Sequence, residues 1–205
     1  MPHLPDNSRV RSELEKQFQI QAARVCGLAV LLALGCAPVA LPDGERRVAL
    51  KGATEHVILP TYQELTTRAG ELASLLDDLV SSPAETDLET TRQAYLDVRA
   101  PLQEAGAFGF GPAVDLHSSA ALDQSPLDAA KLEAELASDK ELTVAGLRKL
   151  GANKRGLHAI EYLLFPADDA EREAALLADD VSGERRRQFA SSAAQIVAAS
   201  ARELL

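Results

Sequence analysis

The sequence predicts an all-α protein, a helical bundle, and three of its features carry that expectation. Aromatic residues make up only 4% of the chain and Trp is absent, while Ala and Leu dominate, so packing must run through small aliphatic side chains. Such a composition suits helices and disfavours a β-sandwich. Apolar residues recur at steps of four and three along several stretches, the spacing of one helix face. Pro, Gly and hydroxyl or acidic residues fall where those stretches begin and end.

Residues 1–36 read as an export signal. An uncharged run over 25–42 follows Arg9, Arg11, Lys16 and Arg24. Its apolar core, Val25 to Leu34, is too short to span a bilayer, and Pro38 and Pro42 interrupt any longer helix. The run Leu32-Ala33-Leu34-Gly35-Cys36 resembles a bacterial lipobox, in which Cys36 is lipidated and becomes the mature N-terminus. An uncleaved anchor helix is the alternative. The basic region is long for a signal, which leaves room for a start codon downstream of Met1. Cys26 and Cys36 are the only cysteines, so after processing at Cys36 no disulfide can form within the chain. Residues 1–35 hold four Lys/Arg and three Asp/Glu; without them 17 basic and 28 acidic residues remain, a balance of −11. Nucleic acid is excluded as a partner, because neutralising phosphate needs a basic footprint. Cations are more natural company.

Residues 37–52 read as a linker. The first long helix then carries Ile58, Tyr62, Leu65, Ala69, Leu72, Leu76 and Leu79 on one seam, with Pro60 at its first turn and Ser81-Ser82-Pro83 at its end. A second spans 87–105, with Leu88, Tyr95, Val98, Leu102 and Ala105 on one side and a bend at Pro101. Glycines 106, 109 and 111, interleaved with Phe108 and Phe110, imply an irregular segment over 106–115 folded against the core. Ser125 followed by Pro126 is a cap and first helical position for a short helix to Ala137. Thr143 caps another through Leu150, before a break at Gly151. A helix over 153–165 is stopped by Pro166. The last, 183–205, places Phe189, Ala193, Ile196 and Ser200 at helical spacing, with Arg185, Arg186 and Arg187 in its first turns. No Gly, Asn or Pro closes it before Leu204-Leu205, which reads as a chain cut short.

Within 153–165, Gly156-Leu157-His158-Ala159-Ile160-Glu161 sets an imidazole and a carboxylate three residues apart on neighbouring helix positions, a two-ligand metal clip. Counting about 100° per residue from Leu157, Leu150 and Leu164 define an apolar stripe that Glu161 enters and His158 edges. A carboxylate in that stripe must pair, neutralise or bind metal. Lys154 offers the plainer outcome, a local ion pair. By itself HxxE is a weak pattern.

Three stretches together carry a family resemblance: Val57-Ile58-Leu59-Pro60-Thr61-Tyr62; Ala94-Tyr95-Leu96-Asp97-Val98-Arg99 leading through Glu104 to Phe108-Gly109-Phe110-Gly111-Pro112; and Gly156-Leu157-His158-Ala159-Ile160-Glu161-Tyr162-Leu163-Leu164-Phe165. They resemble the imelysin family over about residues 50–205, and the last, a GxHxxE motif, is the most specific. The resemblance implies an exported envelope protein, often a lipoprotein, with two bundle-like helical halves and a site near their interface; 53–205 would be the first half, truncated. It implies His158 and Glu161 as metal ligands, Glu104 as a third and Asp115 as a fourth. Against that, Glu104 reads equally as a solvated helix end and Asp115 as a turn cap. Departures include Tyr95 and Ser125 where relatives commonly carry Trp.

Three functions follow as expectations. The first is a lipid-anchored protein on the periplasmic side of the bacterial envelope, binding a divalent or ferric ion, iron or zinc, and linked to iron uptake. An envelope partner or a second copy would supply the missing half. The second is a metallopeptidase of the imelysin type, disfavoured because the HExxH arrangement is absent. The third is a remnant with no site of its own.

Overall fold

The computed structural model describes residues 42–83, 87–110, 114, 118–166 and 170–205. The expected export signal, lipidated Cys36 and ligand Asp115 lie outside the described residues. The backbone divides into units 1–48 and 49–205, and the second carries the bundle. Every regular element among the described residues is helical, and none is long and apolar enough to cross a membrane.

Part of the expected linker is a helix, α1 (Asp43–Ala53), with no buried residue. Asp43 and Glu45 in its first turn and Lys51 in its last complement the helix dipole, which favours this helix without packing. A π-turn, Thr54–Ile58, leads into α2 (Leu59–Ser81). Pro60 lacks an N–H and its ring crowds the preceding turn. The chain widens there, with Leu59 N–H reaching back five residues to the Thr54 carbonyl. The seam reads as expected from Tyr62 onward: Tyr62, Leu65, Ala69, Leu72, Leu76 and Leu79 are buried.

Helix α3 (Leu88–Ala105) opens on Asp87, whose carboxylate accepts from Glu89 N–H at 3.0 Å, and it buries Tyr95, Val98 and Pro101. A 3₁₀ turn, Gly106–Phe108, follows. Tyr62 Oη reaches the Phe108 carbonyl at 3.5 Å, but Phe110 is 61% exposed, so the described stretch 106–110 touches the core at Phe108 and leaves it at Phe110. Helix α4 (Ser118–Asp123) was not anticipated. Helix α5 (Ala129–Leu136) starts later than read, because Asp128, not Ser125, caps it by accepting from Lys131 N–H at 3.1 Å. Thr143 caps α6 (Val144–Arg148) as expected, accepting from Gly146 N–H at 3.2 Å.

After a 3₁₀ turn, Ala152–Lys154, the motif helix α7 runs only over Leu157–Leu164. It starts later than expected because Gly156, at φ 83°, takes a backbone conformation that ends any helix entering from 153. Helix α8 (Ala170–Leu177), also unanticipated, precedes α9 (Val181–Arg202), which Asp180 caps. Helix α9 packs most extensively on α2 and also touches α4, α5, α6, α7 and α8, making it the centre of the bundle. Its buried Ala190, Ala193, Ala194, Ala198 and Ala201 let those neighbours approach closely. The triple arginine ties it to them. Arg185 donates to the Leu136 carbonyl at 2.8 Å, Arg186 forks onto Glu133 at 3.0 and 2.7 Å, and buried Arg187 donates to the carbonyls of Leu176 and Ala178, each at 2.8 Å.

Candidate metal centre

Three helices bring one polar set together. Helix α3 presents Tyr95 and Arg99, four residues apart and so on one face. Helix α4 presents its last residue, Asp123, and α7 presents His158 and Glu161. His158 Nδ1 lies 3.0 Å from Glu161 Oε2, and the same oxygen accepts from Tyr95 Oη at 3.0 Å. The other ring nitrogen, Nε2, lies 3.2 Å from Asp123 Oδ1. Arg99 Nη1 holds the second oxygen of Asp123 at 3.0 Å.

Asp123 Oδ1 is sealed from solvent and has no hydrogen-bond partner, so its approach to His158 is ionic in distance but not hydrogen-bonded in direction. Tyr95 is fixed more firmly: 2% exposed, its ring tilted against Phe165 with centroids 5.3 Å apart. Burial pushes its phenol well above the usual tyrosine range, the charge of Glu161 pushes the same way, and Arg99 opposes both. Tyr95 is therefore a donor to Glu161 and not a base.

Gly156 sets the gap between α7 and α4. A Cβ there would stand 2.8 Å from the Leu122 carbonyl oxygen and 3.3 Å from its carbon, so only glycine allows this approach. Leu122 immediately precedes Asp123, which makes the glycine of GxHxxE the residue that seats the imidazole beside the aspartate.

Two expectations need correction. Glu161 does not enter the apolar stripe; its side chain is 46% exposed, against 25% for His158. Leu150 does not belong to this helix, and the buried residues Leu157, Ala159, Ile160, Leu163 and Leu164 fill an arc running from about 0° to −160°. Glu161, at about 40°, lies just outside that arc, and His158, at about 100°, lies opposite its midpoint. Nor does Lys154 neutralise the motif: its Nζ lies 3.3 Å from Glu135 Oε1.

Of the four expected ligands, the fold brings His158 and Glu161 together. Glu104 is exposed and, nine residues on from Tyr95, lies about 180° around α3 from it, away from the polar set. No group of three or more His, Cys, Asp or Glu among the described residues is arranged to hold a metal ion. The acids instead stand on opposite ring nitrogens. Sequence reasoning missed Asp123 and Arg99: α4 carries no periodic signal, and Arg99 showed only as part of the Ala94–Arg99 stretch.

The donors nonetheless suit a cation. If Nδ1 donates its proton to Glu161, a neutral ring turns the Nε2 lone pair toward an unpartnered carboxylate oxygen. Two acceptors 3.2 Å apart repel unless a proton or a metal ion lies between them. His158 Nε2 with the Asp123 carboxylate is a nitrogen and oxygen pair of the kind that iron and zinc accept, and Glu161 would orient the ring from its other nitrogen.

Iron-regulated protein A of Synechococcus elongatus is 28% identical over 170 residues, covering 79% of this chain and 44% of the relative. A solved structure from Parabacteroides distasonis, described as an iron-regulated protein A precursor, matches with a TM-score of 0.67 at 22% identity, over 82% of this chain and 46% of the other. That likeness shows the fold, and the chain spans less than half the length of either protein. The Imelysin (peptidase M75) family model matches residues 58–205, which include all the helices from α2 onward and the whole polar set, and the chain belongs to the imelysin family.

Proposed function

We propose that this chain is a metal-binding imelysin-type protein of the bacterial envelope, holding iron or zinc between His158 Nε2 and Asp123, with Glu161 on the other ring nitrogen. The observation that carries the reading is the orphaned Asp123 oxygen facing His158 Nε2, an arrangement in want of a cation. When bound, such an ion would supply Lewis acidity or be cargo. This chain's own part is to orient the imidazole through Glu161, fix Glu161 through Tyr95 and fix Asp123 through Arg99. His158 and Asp123 leave positions open, which a second copy of the chain or an envelope partner would fill.

The link to iron uptake rests on the name of the Synechococcus relative. Lipidation at Cys36 would hold the protein at the membrane on the periplasmic side. The metallopeptidase reading draws on the family name alone.

Calorimetry of the full chain with ferrous, ferric and zinc ions tests the site. His158→Ala is expected to abolish binding and Asp123→Asn to weaken it about 10–100-fold. Glu104→Gln is expected to leave it unchanged. No heat from any of the three ions in the wild type, or binding that survives His158→Ala, defeats the reading.

A further inference from the structure

Three residues of α3 share one stripe of the helix and reach three different parts of the bundle. Arg92, Tyr95 and Arg99 stand at i, i+3 and i+7. Arg99 holds Asp123 on α4, and Tyr95 holds Glu161 within α7. Among the described residues Arg92 bonds to none of the site's carboxylates, and it reaches the far end of α7 instead.

Arg92 Nε donates to the Leu164 carbonyl at 2.8 Å. That carbonyl belongs to the last turn of α7, where helix carbonyls lack an intrahelical partner and the helix dipole favours a cation. Arg92 Nη2 pairs with Glu173 on α8. The guanidinium carbon lies 5.9 Å from the centroid of the Phe165 ring, close enough for a cation–π contact. Phe165 in turn leans on Tyr95 with ring centroids 5.3 Å apart, and Tyr95 Oη donates to Glu161 at 3.0 Å. The Arg92 side chain is only 19% exposed, so water competes little for these contacts. The pair with Glu173 does not by itself account for them. Glu173 is 44% exposed, and a pair so open to water adds little to stability. A lysine would serve that pair as well, whereas a planar fork can span a helix-end carbonyl, a carboxylate and a ring at once.

We propose that Arg92 is a positioning residue of the ion site: by clamping the end of α7 and the Phe165 ring, it fixes the Tyr95 phenol on Glu161 and, through Glu161, the His158 imidazole. Glu161 lies 3.0 Å from His158 Nδ1, so a displaced Tyr95 frees the carboxylate that orients the ring. The ion pair with Glu173 makes α8 part of this support. The role rests on the metal-binding reading, but the contact that Arg92 controls exists without metal.

Tyrosine emission reads that contact. The chain has no Trp and three Tyr, so in a Tyr62→Phe, Tyr162→Phe background all the emission comes from Tyr95. A phenol bonded to a carboxylate emits weakly, because the carboxylate takes up its proton in the excited state. In the full, chelator-treated background chain, Arg92→Met is expected to raise Tyr95 emission toward the level that Glu161→Gln gives. Arg92→Lys, whose single ammonium cannot span all three partners, is expected to do the same, and it stands in if Arg92→Met fails to fold by circular dichroism. Leu147→Ala, which removes a buried side chain of α6, controls for general destabilisation and is expected to leave the emission unchanged. With zinc, a folded Arg92 variant is expected to bind about 10-fold more weakly by calorimetry. The proposal is overturned if Glu161→Gln relieves no quenching, if the folded Arg92 variants emit no more than the background, if Leu147→Ala raises the emission as far, or if zinc binds those variants as tightly as the wild type. A wild type that binds no ion defeats the metal-binding reading instead, and the emission still decides whether Arg92 sets the Tyr95 contact.

Discussion

Gly156→Ala strikes the seat of the polar set, and its effect follows from two observations. At φ 83° and ψ −164°, Gly156 occupies a region almost reserved for glycine, where a side chain costs about 1–3 kcal/mol. The new Cβ also meets the Leu122 carbonyl oxygen at 2.8 Å, a backbone atom of α4 that cannot swing aside like a side-chain tip. Overpacking of that kind adds about 1–3 kcal/mol. A total near 4 kcal/mol lowers the Tm of a domain this size by about 10 °C. Because Asp123 follows Leu122, relief of the clash should part α4 from α7 and open the 3.2 Å approach of Asp123 to His158. Circular dichroism melts measure the first effect, and ion calorimetry the second. Gly70→Ala serves as the control: nothing lies within 4 Å of its added Cβ in the interior of α2. There alanine gains about 0.5–1 kcal/mol, and the Tm should rise by about 2 °C. A Gly156→Ala protein that melts within about 2 °C of the wild type would refute the reasoning.

Other perturbations have equally definite outcomes. Tyr95→Phe keeps the ring against Phe165 but removes the donor to Glu161; a loss of about 1 kcal/mol and a Tm lower by about 3 °C are expected, with weaker ion binding by calorimetry. Leu72→Ala, at a fully buried position on the α2 seam, should cost about 2–5 kcal/mol in chemical denaturation without a change in the slope of the transition. Glu135 is held below the usual carboxylate range, chiefly by its hydrogen bond from Lys140 and also by that from Lys154. Its contribution is therefore present above the ordinary glutamate value and lost as pH falls through the lowered folded value. Melts of Glu135→Gln against the wild type should differ most near neutral pH and converge as the pH falls through the lowered value of Glu135; a difference that stays constant with pH would refute the assignment.

Much of the bundle is legible in the chain itself. The α2 seam shows in the residues it buries, and Thr143 announces its cap, because periodicity and capping are local consequences of helix geometry. Short helices escaped notice where one or two turns give periodicity too little length, as in α4 and α8. Exposed α1 was read as a linker because it buries nothing and so shows no apolar face. Ser125-Pro126 looked like a cap, yet Asp128 three residues on does that work.

The same boundary runs through the candidate site. That His158 and Glu161 meet was decided by the sequence alone, since three residues of α-helix place them side by side whatever surrounds the helix. Which way that pair faces, and what it faces, was decided only by the tertiary structure. Tyr95 reaches Glu161 across 66 positions, and Asp123 reaches His158 from a separate short helix, through a gap that Gly156 keeps open. Such contacts arise from how helices pack on α9, and packing is a property of many side chains together that no local spacing records.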